Sequence, residues 1–147
     1  MNDNAESTAK ILGGYELLGS DIFNERDLEK RINQGLPFGS VNRLKITIDP
    51  ENIDKDFIHR IIPKSSLQRR KKSAILSVEE SQKIERLARV FSFAVEVWDG
   101  DEDKARIFMQ KPHPMLDDRS PLGACLTELG ARQAESILGR LYYGICA

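Results

Sequence analysis

Few residues in this chain are placed to do covalent chemistry. His59 stands beside Arg60, and His113 stands between Pro112 and Pro114. Neither is spaced to meet a nucleophile or a set of metal ligands, whereas catalysis needs several converging groups. Gly14 and Gly19-Ser20 have the glycine spacing of a phosphate loop, but no lysine follows to reach the outer phosphates. Asp99, Asp101 and Asp103 alternate as in a calcium loop. Lys104 occupies the position where that loop turns on glycine, and Gln110 the position of its closing glutamate. An acidic helix start, favoured by the helix dipole, explains the three aspartates better. The two cysteines, Cys125 and Cys146, make neither a disulfide framework nor a zinc pattern. No catalytic residue, cofactor or metal is therefore assigned, and binding to other macromolecules is the expected activity.

The charge distribution points to one binding surface. The net charge of the 147 residues is only −1. Residues 1–58 carry 7 basic and 11 acidic side chains, and residues 73–147 carry 9 and 12. Residues 59–72 carry 6 basic and no acidic side chains. Pro63 breaks this segment into two helical stretches with helix–turn–helix spacing. With Leu67 inward, a rotation of about 100° per residue turns Ser65, Arg69 and Lys72 outward, with Ser66 and Gln68 on the flanks. Arg70 and Lys71 fall nearer the inner side, in reach of neighbouring backbone instead. Hydroxyl, amide and guanidinium groups on one face suit base edges and phosphates. Two readings stand here: a DNA-binding helix, or a basic face that only meets solvent.

The elements that must position this face read as helices throughout. Hydrophobic residues make up 40% of the chain, enough for a core. Residues 1–20 are expected to form a flexible arm, the first ten being polar and without an apolar face, and residues 11–19, which mix apolar side chains with three glycines, forming a short helix or an ordered loop. The pattern predicts a helix over 21–33 on Phe23, Leu28 and Ile32, stopped by Gly35, and a second from Pro37 on Val41 and Leu44. Asp49-Pro50 is a breaker. A stripe of Ile53, Phe57, Ile58 and Ile61 predicts the next helix. Ser77-Val78-Glu79-Glu80 is a capping box opening a long helix on Ile84, Leu87, Ala88, Phe91, Val95 and Trp98. Part of so long a helix could face a second copy of the chain. Asp101, Ser120-Pro121 and Thr127 cap three more helices, the last on Ala134, Ile137, Leu138, Leu141, Tyr142 and Ile145. The expectation is an all-α protein of seven or eight helices. No apolar run reaches the roughly 18 residues of a membrane span, and a reducing cytoplasm is the simplest home.

Three stretches resemble the Xre/MbcA/ParS-type antitoxins of bacterial toxin–antitoxin pairs. The first is Gly35-Leu36-Pro37 with Val41 and Leu44. The second is Ser66-Leu67-Gln68-Arg69-Arg70-Lys71, Leu76 to Ser81, and Arg86-Leu87-Ala88-Arg89-Val90. The third is Ser120-Pro121-Leu122, Gly130-Ala131-Arg132 and Leu138 to Gly144. The resemblance covers residues 21–147. Ser66 stands where the family often has threonine, Phe108 where it often has tryptophan, and Leu129 where proline is common. The run Ile46 to Pro50 is also unusual for the family.

The resemblance implies a helix–turn–helix (Xre-like) domain over 21–75 and a helical domain for toxin binding and dimerisation over 76–147. It implies as partner a RES-domain toxin that depletes NAD, and operator DNA bound by a homodimer through Ser65, Ser66, Gln68, Arg69 and Lys72. By the same resemblance, the group that obstructs the toxin's NAD pocket would be Arg140 with Tyr142, Tyr143, Gly144, Ile145, Cys146 and Ala147. A short tail after Gly144 is compatible with entry into a pocket built for a nucleotide. Core packing is the competing reading for Tyr142 and Ile145. The rival functions are a transcription regulator without a toxin partner and, less well supported, a small enzyme.

Overall fold

In a computed structural model that describes residues 4–144, one 20-residue helix forms the axis around which the others pack. The elements are α1 (Asn4–Ile11), α2 (Gly14–Leu18), α3 (Glu25–Asn33), α4 (Gly39–Ile48), α5 (Phe57–Ile61), α6 (Lys64–Ser73), α7 (Val78–Val97), α8 (Glu102–Gln110), α9 (Pro121–Ala124) and α10 (Glu128–Tyr142). A single 3-10 turn, Pro114–Leu116, lies between α8 and α9. Among the described residues no strand forms, and the all-α expectation holds.

The axis α7 starts where its capping box places it. Ser77 Oγ accepts from Glu80 N at 3.1 Å, and Glu80 Oε1 accepts from Ser77 N at 3.0 Å. Ile84, Leu87, Ala88, Phe91 and Ala94 are buried along one stripe, and Ser81 and Val90 widen the buried surface. A helix buried over so wide an arc needs neighbours on several sides. It has them in α1, α3, α4, α5, α8 and α10. The length of α7 is thus largely used within the chain, although Val95 and Trp98 are only partly buried.

The disordered arm expected over residues 1–10 is corrected, whereas α2 is the short helix, one of the two expectations for 11–19. Residues 4–18 form α1 and α2, and α1 packs on α7. Its inner face is Ala5, Thr8, Ala9 and then Leu12, all buried. Positions 5, 8, 9 and 12 share one helical face. The small side chains let the two helices approach closely without the large apolar residues that usually advertise a buried face. Ser40 Oγ donates to Leu12 O at 2.6 Å, and Arg31 Nε donates to Leu18 O at 2.8 Å, fixing both segments to α3 and α4. These two helices account for the excess over the expected number.

Three helices begin later than predicted: α4 starts at Gly39 rather than at Pro37, and α3 and α5 start later still. Asn24 accepts from Asp27 N and caps α3 at Glu25. Phe23 is left outside the helix and exposed, while Ile22 is buried. The Asp49 carboxylate is buried and accepts from Ile53 N and Asp54 N, both at 2.8 Å. It holds residues 49–54 as a loop, so Ile53 is exposed and α5 starts only at Phe57. Leu36, Val41, Leu44, Ile48, Phe57, Ile61 and Ile62 from the first half share one core cluster with Ile84, Phe91, Met109, Leu122 and Leu138 from the second. The core does not divide at residues 75–76.

Candidate functional site

The basic segment folds as two helices joined by a tight turn. Ile61 and Ile62 are fully buried and anchor α5 and the turn. Pro63 has φ −55° and ψ 147°, an extended conformation that ends one helix and begins the next. No residue of α6 is buried, and Leu67 is only partly covered by the core. Ser65, Gln68, Arg69 and Lys72 are exposed, as the rotation predicts. Ser66 is partly buried, and its Oγ accepts from Arg69 Nη2 at 3.3 Å.

The two inner cations separate. Lys71 is exposed, which corrects its placement near the inner side. Arg70 does turn inward, but it meets a carboxylate rather than backbone: its Nε lies 2.6 Å from Glu80 Oε1. Arg60 is paired with Asp54 at 2.7 Å. Among the described residues, Lys64, Arg69, Lys71 and Lys72 carry no ion pair, so α6 presents four open positive charges. Ala74 closes α6 in the left-handed conformation at φ 62°. Phe38 N then donates to Ala74 O at 2.9 Å and Leu76 N to Leu36 O at 2.8 Å, tying the end of α6 to the entrance of α4.

The second candidate surface is the end of α10. Thr127 caps this helix through Gly130 N at 3.1 Å. Ala131, Ala134, Ile137 and Leu138 bury its inner face. Leu141, predicted inward, is 50% exposed, and Tyr142 and Tyr143 are 43% and 64% exposed. Tyr142 lies edge-on to Phe93 with centroids 6.0 Å apart, and Tyr143 lies perpendicular to Tyr142 at 5.0 Å. Tyr142 is thus partly packed on Phe93 and partly open to solvent. Arg140 is exposed, with Nη1 3.5 Å from Met115 Sδ. Gly144 turns the chain at φ 66°. Ile145, Cys146 and Ala147 lie outside the described residues.

What ties the first turns of α10 to α7 is not visible in any sequence motif. Arg89 on α7 faces three carboxylates: Glu85 at 3.1 Å, Glu135 at 3.1 Å and Glu128 at 3.6 Å. Burial pushes the Glu85 and Glu135 carboxyls above their usual range, against the pull of Arg89. Arg86 donates to Cys125 O at 3.0 Å and Leu126 O at 2.7 Å, covering carbonyls left open between α9 and α10. The Glu85–Arg89 spacing is a visible helix-face pair. Its reach to α10 is tertiary and leaves no local trace.

The histidines, aspartates and buried cysteine have structural surroundings. His113 Nδ1 accepts from Met115 N and caps the 3-10 turn. His59 Nδ1 is buried and has no hydrogen-bond partner among the described residues. Asp101 caps α8 and Asp103 pairs with Arg106. The Cys125 thiol is buried and pushed up to about 12, which makes it a poor nucleophile.

Comparison with known proteins bears on the same regions. A family model for the antitoxin Xre/MbcA/ParS C-terminal toxin-binding domain matches residues 93–144, from the end of α7 through α10. An antitoxin Xre from Yersinia enterocolitica is 39% identical over 85 residues, spanning 57% of this chain and 57% of that protein. An antitoxin Xre from Photorhabdus laumondii is 32% identical over 117 residues, spanning 78% of this chain and 77% of that protein. The likeness to the second protein runs through most of both chains, and with the matched toxin-binding domain it shows that this chain belongs to the Xre family of antitoxins of toxin–antitoxin systems.

Proposed function

We propose that this antitoxin neutralises a RES-domain, NAD-depleting toxin by seating the end of α10 in the toxin's active site, and that it represses its own operon as a homodimer through α6. The observation that carries the first part is the solvent-facing run Arg140, Leu141, Tyr142 and Tyr143, which lies inside the matched toxin-binding region. Exposed aromatic rings next to a guanidinium are unusual on a surface with no partner, and such groups dominate binding interfaces. Flat phenol rings fit a pocket shaped for a nucleotide base, and Arg140 can pair with a carboxylate within it. Inhibition of this kind is stoichiometric. Removing Gly144–Ala147, or replacing Arg140 and Tyr142 with alanine, should restore NAD loss in cells that make the toxin. Full protection by these variants would exclude the end of α10 as the inhibitor.

The DNA-binding part is supported by α6, a helix with no buried residue and no acidic one, projecting four open cations. Arg69→Ala and Lys72→Ala should each weaken operator binding and lower its salt slope by about one unit. Unaltered slopes would place the DNA contact elsewhere. Co-purification with a RES-domain protein encoded next to this chain separates an antitoxin of such a toxin from a regulator acting alone.

A further inference from the structure

We propose that Arg70 does not contact DNA but is the positioning residue of α6, locking the DNA-facing helix to the first turn of α7 through Glu80. This inference rests on the reading of α6 as a DNA-binding helix. Two facts separate Arg70 from its neighbours. Its side chain is 19% exposed and that of Glu80 6% exposed, whereas Arg69, Lys71 and Lys72 are open to solvent. The same Glu80 Oε1 that accepts Arg70 Nε also accepts the capping hydrogen bond from Ser77 N. One oxygen thus joins the middle of α6 to the start of the central helix.

The need for such a lock follows from what α6 lacks. Burial of apolar side chains normally sets the orientation of a helix, and α6 has only partly covered Leu67. Its end is held by the backbone bonds of Ala74 and Leu76 to residues 36–38. Backbone tethers at its two ends, Ile62–Pro63 and Ala74–Leu76, place the helix, but no buried side chain of its own fixes which face turns inward. Rotation by a single residue would turn Arg69 and Lys72 away from a duplex. Arg70, sited between them on the opposite side, fixes that rotation. Burial pushes the Glu80 carboxyl up, but the bonds from Arg70 and Ser77 outweigh it and hold the group below its usual range, so the pair is ionised at neutral pH.

Electrostatics gives the test its sign. Removing a carboxylate near a polyanion should by itself tighten DNA binding. If Arg70 were instead a phosphate contact restrained by Glu80, Glu80→Gln would release it and tighten binding further. If Arg70 positions α6, Glu80→Gln weakens binding. Glutamine retains an oxygen to accept from Ser77 N, so the cap of α7 survives. The full-length chain is titrated onto a fluorescent duplex spanning the promoter region of its own gene. Circular dichroism checks that every variant is fully folded at the temperature used. Glu80→Gln and Arg70→Ala should each bind about tenfold more weakly, as expected for loss of one charge-assisted hydrogen bond, with the salt slope of the wild type. The double variant should be no weaker than either single one, Arg70→Lys should recover part of the affinity, and Arg69→Ala should lower the slope. Wild-type or tighter binding by Glu80→Gln, or a reduced slope for Arg70→Ala, overturns the positioning role while leaving α6 as the DNA helix. A wild type that prefers the promoter duplex no more than a scrambled one overturns the DNA reading and the inference with it.

Discussion

At the scale of single residues, the sharpest steric requirement lies at the base of α10, the helix whose end is proposed to meet the toxin. Gly130 sits in the first turn of α10, buried against Ala124, the last residue of α9. A Cβ at this position would stand 1.9 Å from Ala124 O and 2.7 Å from Ala124 C. Both are backbone atoms, so neither can rotate away, and α10 would have to move as a body. Gly130→Ala should destabilise the chain by about 3 kcal/mol, the upper part of the usual range for overpacking. It should also displace the exposed end of α10 and weaken toxin capture. Urea unfolding measures the first effect, and a wild-type midpoint would show that the α9–α10 junction is not this close. Gly130 was legible in the sequence only as part of a family-like Gly-Ala-Arg run. The physical reason for a glycine there is a carbonyl six residues earlier, brought back by a turn that spacing alone does not reveal.

At the scale of elements, caps were legible and seams were not. Ser77, Asp101, Ser120 and Thr127 each accept the backbone hydrogen bond that their types and positions predict, because capping is settled within one turn of chain. The outward face of α6 was legible for the same reason, being fixed by helix rotation about Leu67. The Arg70–Glu80 and Arg89–Glu135 pairs join different helices and could not be read from spacing. These two seams respond to pH with opposite sign. Glu80 is held below the usual carboxylate range, so the stability it contributes is present above that range and is lost as pH falls through its folded value. Glu85 and Glu135 are raised, mainly by burial. The folded chain holds their protons more tightly than the unfolded one, so their cost to stability near neutrality is relieved as pH falls from their folded values toward about 4.3. Glu135→Gln should therefore flatten the change in stability between neutral pH and about 4.3, and Glu80→Gln should flatten the acid loss below it. Chemical denaturation at a series of pH values distinguishes the two, and profiles parallel to the wild type would show that neither seam titrates as placed.

At the scale of the whole molecule, α7 carries its proposed DNA face at one end and reaches the matched toxin-binding region at the other. The charge contrast between residues 59–72 and the rest already separated the first of these surfaces, and the family resemblance separated the second. The continuity of the core between them was hidden, largely because α1 reads as a polar arm. Its buried face of Ala5, Thr8, Ala9 and Leu12 is made mostly of small residues, which carry little hydrophobic signal yet allow close contact with α7. Deleting residues 1–12 tests whether this helix belongs to the body. It would uncover the part of α7 on which that face packs and leave Ser40 Oγ, itself buried, without Leu12 O as acceptor. The expected loss is about 3 kcal/mol, from the apolar burial that one leucine and several smaller side chains no longer provide. In a chain of this size that lowers the melting temperature by about 10 °C. Because residues from both halves share one core cluster, calorimetry should show a single cooperative transition for the wild type and for the deletion variant. An unshifted transition would make α1 an appendage. Two resolved transitions would mean that the N-terminal and C-terminal halves fold separately and that α7 does not unite them.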